Sequence, residues 1–287
     1  MMTSKRQGRA VVLMAYVLAL LAAIGASRVV AGNHPVLVAA VGDATATAVV
    51  FLFSVLLDNS SVYDPYWSVA PFPIALYWAT AGSAHDVGPR QLLLLVLLAL
   101  WGVRLTANWA LRWQGPGDED FRYREIRAKS GRAYWPASFI AIHLMPTIWV
   151  FLGLLPTYPA LTQSGLGMLD LAAALVTTLA LVIETVADWQ LRRYLRSPHD
   201  AGGVLDRGLW ALSRHPNYLG EILFWWGIFL FGVAANPGWA WTIIGPISIT
   251  LLFVLVSVPW MDRRMLSRHP EWAAHMKRVP ALLPRPW

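Results

Sequence analysis

The sequence predicts an all-α membrane protein, a polytopic helical bundle with about seven to eight transmembrane helices. Of its 287 residues, 57% are hydrophobic and only 14% are charged. The apolar residues gather repeatedly into runs of about 20, the length that a helix needs to cross the hydrocarbon core of a bilayer. Lys and Arg concentrate in alternate loops between these runs, as they do in the cytoplasmic loops of membrane proteins.

Eight apolar runs predict eight spans in chain order. They cover residues 10–31, 36–57, 66–82, 90–112, 137–155, 167–191, 218–234 and 238–260. With the N-terminus in the cytoplasm, the inner segments hold 20 of the 23 Lys and Arg residues, mainly in 112–135, 192–217 and 261–287. The positive-inside rule therefore indicates that both termini are cytoplasmic.

The first run also has features of a signal peptide. A basic start precedes apolar residues 11–26, and small residues follow at Ala23 and Ala26. We expect this run to be a retained helix. Because no repeat, low-complexity tract or glycine-serine linker divides the chain, we predict one membrane domain, with N-terminal helices in 1–57 and a core in 58–287.

Composition excludes several kinds of chemistry. The chain has no Cys, so it forms no disulfide and has no thiolate nucleophile or Cys-ligated metal. No spacing of His and carboxylates resembles a metal site, and His143, alone in an apolar run, is expected to be a hydrogen-bonded core residue. The net charge of +7 follows from the basic inner loops, so no nucleic-acid partner is expected.

The motif Ser-Arg-His-Pro-Asn-Tyr-Leu-Gly-Glu at 213–221 puts polar groups at the mouth of an apolar run. Pro216 suits the first turn of a helix, which brings Asn217 and Glu221 onto one face, where an amide and a carboxylate can hold a ligand amide. The helix N-terminus favours an anionic group nearby. Alternatively, the motif is a helix cap and Arg214 binds a lipid phosphate.

Three other sets repeat the four-residue spacing of one helical face. Arg104, Asn108 and Arg112 form a polar stripe that suits phosphates or ribose hydroxyls. As alternatives, Arg112 extends to the interface, and the acidic residues 118–120 pair with Arg122 and Arg124 in a solvated loop.

Glu184, Asp188 and Arg192 repeat that spacing, and they predict either a ribose-binding face or a self-satisfied internal network. Arg264 and Arg268 can clamp a phosphate, or they simply follow the positive-inside rule.

The segment Tyr63-Asp64-Pro65-Tyr66-Trp67 opens the predicted third span at the inner surface. Asp64 is positioned to cap that helix. The alternative hypothesis makes Asp64, with Tyr63 or Tyr66, a proton-donating pair beside a substrate carbonyl.

Several of these stretches together resemble a known family. They are Leu209-Trp210, the motif at 213–221, Trp225-Trp226-Gly227, the tail Val-Pro-Ala-Leu-Leu-Pro at 279–284, the segment 63–67 and the stretch from Arg104 to Tyr123. Over residues 55–287 the chain resembles the steroid 5α-reductase superfamily, and most closely its bacterial branch of membrane proteins. The resemblance implies a seven-span bundle, here with one added N-terminal helix, in a bacterial inner membrane.

The resemblance also implies an activity: NADPH delivers hydride to the β-carbon of an enone in a steroid-like or other lipophilic substrate. With the spacings above, it gives an expected set of cofactor-binding residues. They are Arg104, Asn108, Arg112, Arg122, Tyr123, Asp188, Arg192, Arg207, Arg214, His215, Asn217, Tyr218, Glu221, Arg264 and Arg268.

The expected catalytic residues are Asp64, Tyr63 and Tyr66, because Asp64 falls approximately where the family's steroid enzymes carry a carbonyl-polarising glutamate. The sequence departs from the family at Trp101, which matches the family's tyrosine and cannot protonate an oxygen.

Two other classes of protein remain open. Isoprenylcysteine carboxyl methyltransferases, which use S-adenosylmethionine, also carry an Arg-His-Pro-x-Tyr-x-Gly run and a similar Pro-terminated tail. Glu221 and the loop 118–123 favour the reductase. A non-catalytic membrane subunit is the third possibility, and the expected partners in every case are membrane lipid and, for an enzyme, a lipophilic small molecule.

Overall fold

The structure is a computed structural model that describes residues 5–81, 88–197 and 203–283. In this part of the chain every regular element is a helix, and seven helices are long and apolar enough to cross a membrane. They are Lys5–Val29, Pro35–Leu56, Pro89–Arg112, Phe121–Leu154, Met168–Arg196, Pro216–Ala235 and Pro237–Arg268. The prediction of an all-α, multi-pass membrane protein is confirmed.

Individual α-helices subdivide and connect these spans. In chain order they are α1 Lys5–Val29, α2 Pro35–Leu56, α3 Tyr66–Val69, α4 Pro71–Ala81, α5 Pro89–Arg112, α6 Phe121–Ser130, α7 Tyr134–Ser138, α8 Met145–Leu154, α9 Thr157–Thr162, α10 Met168–Arg196, α11 Leu209–Leu212, α12 Pro216–Ala235, α13 Ile244–Leu252, α14 Val258–Arg268 and α15 Trp272–Arg278.

The predicted span at 66–82 is not one long helix, so seven of the eight predicted spans match long apolar helices in the described residues. The chain instead forms the short α3 and α4, separated at Ala70. Pro71 follows the break, and proline has no backbone N–H to continue the hydrogen-bond ladder. The preceding loop lies inside the bundle, where residues 59–63 are at most 1% exposed.

Two predicted spans are longer than expected. The run at 137–155 belongs to a helical segment that begins at 121, and the run at 238–260 continues to 268. Each contains a π-helical turn, Phe139–Leu144 and Phe253–Ser257, shortly before Pro146 and Pro259. The wider turns accommodate proline rings that would otherwise break the helix.

Contacts between loops divide the bundle into two ends. We call one the basic end; among the described residues it contains 57–66, 112–135, 192–197, 203–215 and 258–283. There α1 docks on the end of α5, because the guanidinium of Arg9 donates to the carbonyl of Ala110. At the opposite end Arg90 makes a buried, two-pronged ion pair with Asp170, at 2.7 and 2.8 Å. The loops therefore alternate between ends as the sequence predicts.

Helices α10 and α12 approach each other closely because glycines face the contact. A Cβ atom at Gly220 would lie 2.3 Å from Cγ of Glu184, and one at Gly227 would lie 2.1 Å from Oγ1 of Thr177. This packing brings Glu184 next to Glu221 within the bundle.

Candidate active site at the basic end of the bundle

A phenol and a carboxyl group form the candidate acid–base pair. The hydroxyl of Tyr123 donates a 2.5 Å hydrogen bond to Oδ1 of Asp64. Asp64 lies in the buried loop before α3, whereas Tyr123 is in the first turn of α6. That turn is fixed by Asp120, whose side chain caps the backbone N–H of Arg122 at 2.8 Å and whose own N–H donates to Ser61 at 2.9 Å.

The surroundings of Asp64 make it an acid that titrates near neutrality. Burial, reinforced by the nearby carboxylate of Asp120, raises the pKa of Asp64 to about 7, although the hydrogen bond from Tyr123 and the charge of Arg122 act in the opposite direction. Burial alone would also raise the pKa of Asp120, but Arg122 brings it below its ordinary value. Both forms of Asp64 are thus populated at neutral pH, as general acid–base chemistry requires.

The prediction that Asp64 pairs with Tyr63 or Tyr66 is wrong. The hydroxyl of Tyr63 lies 2.8 Å from Oγ1 of Thr147, and that of Tyr66 donates to Oδ1 of Asp43 at 2.8 Å. Both phenols point into the bundle, where buried hydroxyls require polar partners. Nor does Asp64 cap α3, whose N-cap is Pro65 without a side-chain hydrogen bond.

Tyr63, Tyr66, Asp43 and Thr147 border a small cavity whose remaining walls are mainly apolar, including Phe151. Sequence reasoning missed Asp43, although a carboxyl group within an apolar run is itself a signal of function.

A network of charged groups surrounds Arg104 within the membrane. Its guanidinium lies 2.9 Å from Glu184, 2.8 Å from Asp188 and 3.5 Å from Glu221. Asn108 donates to Asp188 at 2.6 Å and accepts a hydrogen bond from Arg192.

The structure thus brings together five of the predicted cofactor-binding residues, Arg104, Asn108, Asp188, Arg192 and Glu221, mainly with one another. This matches the internal network that the spacing left open.

Glu221 is turned into the bundle by two tryptophans. Trp101 donates to its carboxylate oxygens at 3.1 and 3.2 Å, and Trp225 donates at 2.9 Å. Glu221 is only 5% exposed, whereas Asn217, one turn nearer the basic end, is partly exposed. The two side chains therefore do not jointly face an open ligand site. Trp101, which matches the tyrosine of the steroid 5α-reductase superfamily, is therefore a hydrogen-bond donor to Glu221.

Arg214 and His215 of the 213–221 motif hold the segment 279–281 in place, which we call the tail. Arg214 forms a 2.8 Å ion pair with Asp262, and Nε2 of His215 lies 3.0 Å from the same carboxylate. Arg214 also donates to the carbonyl of Val279 at 2.6 Å, and the indole of Trp272 donates to Asp262 at 3.1 Å. The side-chain donors of Arg214 and His215 thus contact Asp262 and the tail, and Asp262 was not among the predicted site residues.

Several other predicted cofactor residues remain accessible at this end. Arg112, Arg207 and Arg268 are exposed, and Arg264 is half-buried. The ring of Tyr218 stacks on that of His215 with centroids 5.2 Å apart. The guanidiniums of Arg112 and Arg122 lie close enough to interact electrostatically with the phenol of Tyr218.

The side chains of this candidate site are better suited to bind the phosphates of a dinucleotide than its nicotinamide ring. Exposed guanidiniums such as those of Arg112 and Arg207 suit phosphates. In contrast, the carboxylate of Glu221 is already engaged by Trp101, Trp225 and Arg104.

The fold and this site define a class: a multi-pass membrane protein with acidic, phenolic and basic side chains gathered at one end of its bundle. The chain belongs to the family described as "Protein of unknown function (DUF1295)", whose sequence profile matches residues 50–279. All the predicted catalytic and cofactor-binding residues lie within that match, whereas Asp43 precedes it.

The chain is also similar to an uncharacterised protein of Schizosaccharomyces pombe. The two are 25% identical over 257 residues, which cover 81% of this chain and 74% of that relative. No solved structure matches the chain.

Proposed function

We propose that this protein is a membrane oxidoreductase of the steroid 5α-reductase type, which uses NADPH to reduce the carbon–carbon double bond of a lipophilic enone. The observation that carries the proposal is the Tyr123–Asp64 pair, a proton donor of suitable acidity near the guanidinium of Arg122. The motif resemblance supports the same activity, because Asp64 matches the family's carbonyl-polarising carboxylate. The excess of Lys and Arg at the basic end supports a cytoplasmic location for that end, in a bacterial inner membrane where NADPH is accessible.

The accessible guanidiniums would hold the cofactor. Arg112 and Arg207 would bind its phosphates, and Asn217 and Tyr218 lie at the adjacent mouth of α12. NADPH, when bound, supplies the hydride that reaches the β-carbon of the substrate.

Asp64 and Tyr123 would supply the proton. When Asp64 is neutral, its hydroxyl can donate to the phenol oxygen of Tyr123 and leave the phenolic proton free for the substrate carbonyl. Tyr123 then protonates the carbonyl oxygen as negative charge develops there, and Asp64 returns a proton to Tyr123. Water at the basic end reprotonates Asp64, and the enol formed rearranges to the saturated ketone.

A ligand-stabilisation assay tests the cofactor. Purified protein in detergent is heated with NADPH, NADH or S-adenosylmethionine, and its melting temperature is measured. NADPH should raise the melting temperature, and Asn217→Ala should reduce that increase, whereas Asn33→Ala at the opposite end should not. Stabilisation by S-adenosylmethionine but not NADPH would replace this proposal with a methyltransferase.

A turnover assay tests the chemistry. The protein is incubated with NADPH deuterated at the transferable position and with a 3-oxo-4-ene steroid or a long-chain aliphatic enone, and deuterium in the product is measured by mass spectrometry. Tyr123→Phe should lower turnover by about 10²-fold or more, as expected for loss of a general acid. Tyr77→Phe, which alters an exposed phenol on α4, is the matched control. Equal rates in the two variants would exclude Tyr123 as the donor.

A further inference from the structure

A basic groove lies at the end of the last span, apart from the Tyr123–Asp64 pair. It has a volume of about 640 Å³ and is lined by residues of α6 and α14. The lining residues are Glu125, Lys129, Trp260, Arg263, Arg264, Ser267 and Arg268. This volume is typical of small-molecule sites and exceeds the needs of one inorganic anion.

The charges in the groove are unbalanced. Four cationic side chains and one carboxylate line the groove, and that carboxylate, of Glu125, already accepts a 2.8 Å hydrogen bond from the indole of Trp260. Just outside the lining, Asp120 and Arg124 also act on Arg264 and add one charge of each sign, so the excess of three positive charges remains. Arg264 and Arg268 are one helical turn apart, so their like charges repel. The guanidinium of Arg264 lies 3.5 Å from the centroid of the Phe121 ring, which fixes it at the groove wall. A bound anion would relieve this repulsion.

The groove continues from a surface that faces lipid. Ile247, Leu251 and Leu255, at four-residue spacing on the same span, are 41%, 49% and 65% exposed. They precede Trp260, an aromatic residue of the kind that lies at the membrane interface. A ligand that contacts both surfaces must carry apolar chains beside an anionic group.

We propose that this groove binds the headgroup phosphate of an anionic phospholipid whose acyl chains lie along the exposed apolar surface of the last span. Clusters of Lys and Arg at the end of a span recognise such headgroups. The lining includes none of the residues Arg112, Arg207, Asn217 and Tyr218 that the proposed function gives to the cofactor. The lipid site therefore stands independently of the reductase activity.

Native mass spectrometry tests this site with phosphatidylglycerol and phosphatidylcholine of identical acyl chains. The protein should retain phosphatidylglycerol in preference to phosphatidylcholine. The double variant Arg264→Gln/Arg268→Gln should lose about fivefold in phosphatidylglycerol affinity for each arginine removed. Arg132→Gln/Lys277→Gln removes two exposed charges at the same end, outside the groove, and should keep the preference. Arg264→Lys/Arg268→Lys should retain most of the affinity.

Three outcomes would overturn the assignment. They are equal retention of the two lipids, equal losses in the groove and control variants, and displacement of phosphatidylglycerol by inorganic phosphate or by NADPH. Displacement by NADPH would indicate that the groove binds the cofactor, and displacement by inorganic phosphate alone would indicate that it binds free phosphate. A protein that binds phosphatidylglycerol but not NADPH would retain the lipid site and lose the proposed function.

Discussion

Tyr123 donates a 2.5 Å hydrogen bond to Asp64 across 59 residues of sequence. The pair joins the loop before α3 to the first turn of α6, and it brings a residue expected to bind cofactor together with one expected to be catalytic. Because burial holds Asp64 partly protonated at neutral pH, the pair is both a structural link and a possible proton source.

The first prediction concerns the pH dependence of stability. Burial raises the pKa of Asp64 from 3.8 to about 7 in the folded protein, so between pH 4 and 7 the folded state binds more protons than the unfolded state. The contribution of Asp64 to the free energy of unfolding therefore falls as pH rises through this window, by at most about 1.4 kcal/mol per pH unit.

Asp64→Asn removes this titration while keeping an acceptor for Tyr123. Thermal unfolding in detergent at pH 4.5, 6 and 7.5 should show the variant gaining stability relative to wild type as pH rises. Burial lowers the pKa of His275, which gives an opposite slope, but both proteins share it. A constant difference between the two proteins at all three pH values would contradict the prediction.

The second prediction concerns the charge balance around Arg104. Three carboxyl groups surround one guanidinium, and Glu184 is fully buried with no hydrogen bond to either oxygen. Arg104→Gln leaves the carboxyl groups without their cation, which should destabilise the protein by about 3–5 kcal/mol. Glu184→Gln removes one excess acid at constant shape and should be neutral or stabilising.

Melting temperatures of the two variants distinguish these effects. Arg28→Gln, which removes an exposed charge at the opposite end, is the control. If Glu184→Gln is as damaging as Arg104→Gln, the network depends on the charge of Glu184 and the proposed excess of acid is wrong.

The third prediction concerns the contact between α10 and α12. A methyl group at Gly220 would lie 2.3 Å from Cγ of Glu184 and 3.0 Å from the backbone oxygen of Ala180, so the helices must move apart. Gly220→Ala should cost about 1–3 kcal/mol. A Cβ atom at Gly25 in α1 would meet no atom within 4 Å outside its own helix backbone. Gly25→Ala should therefore be neutral or stabilising by up to about 1 kcal/mol, because alanine favours the helix more than glycine does. Equal melting temperatures for the two variants would contradict the close packing.

Much of the fold follows from patterns within single segments. The apolar runs identify the membrane-crossing helices, and His143 is buried and hydrogen-bonded to Ser54 at 3.0 Å, as its isolation in an apolar run predicts. The break before Pro71 could also be predicted from the sequence, because a proline within the predicted span 66–82 has no backbone N–H to donate to the helical hydrogen bonds.

The hydrogen-bond and ion-pair partners of the polar residues could not be predicted from such local patterns. Four-residue spacing shows that Arg104 and Asn108 share a face, but not that this face meets α10 and α12. Tyr123 and Asp64 meet because a buried loop brings them together, and no local pattern encodes that contact. The sequence thus predicts which polar residues share a helical face, but not which residues of other elements they touch.

The last prediction concerns the C-terminal tail. Arg214 joins the start of α12 to Asp262, and with His215 it holds the tail: the backbone N–H groups of the two residues donate to the carbonyls of Pro280 and Ala281 at 2.9 and 3.1 Å. Arg214→Ala leaves Asp262 without its cation and should destabilise the protein by about 3–5 kcal/mol. It also removes the side-chain donor to the carbonyl of Val279, at 2.6 Å, and should loosen the tail, which the two backbone bonds would then hold without it.

The absence of Cys makes this loosening directly measurable. A spin label on Leu283→Cys, an exposed position next to the tail contacts, should show restricted motion in the wild-type background and faster motion with Arg214→Ala. Arg207→Ala removes an exposed arginine from the neighbouring loop and should leave the spectrum unchanged. Asp262→Asn should give an intermediate spectrum, because the amide keeps an acceptor but loses the charge that Arg214 binds. If the label moves equally in all backgrounds, the motif does not anchor the tail, and its arginine and histidine would have to act elsewhere.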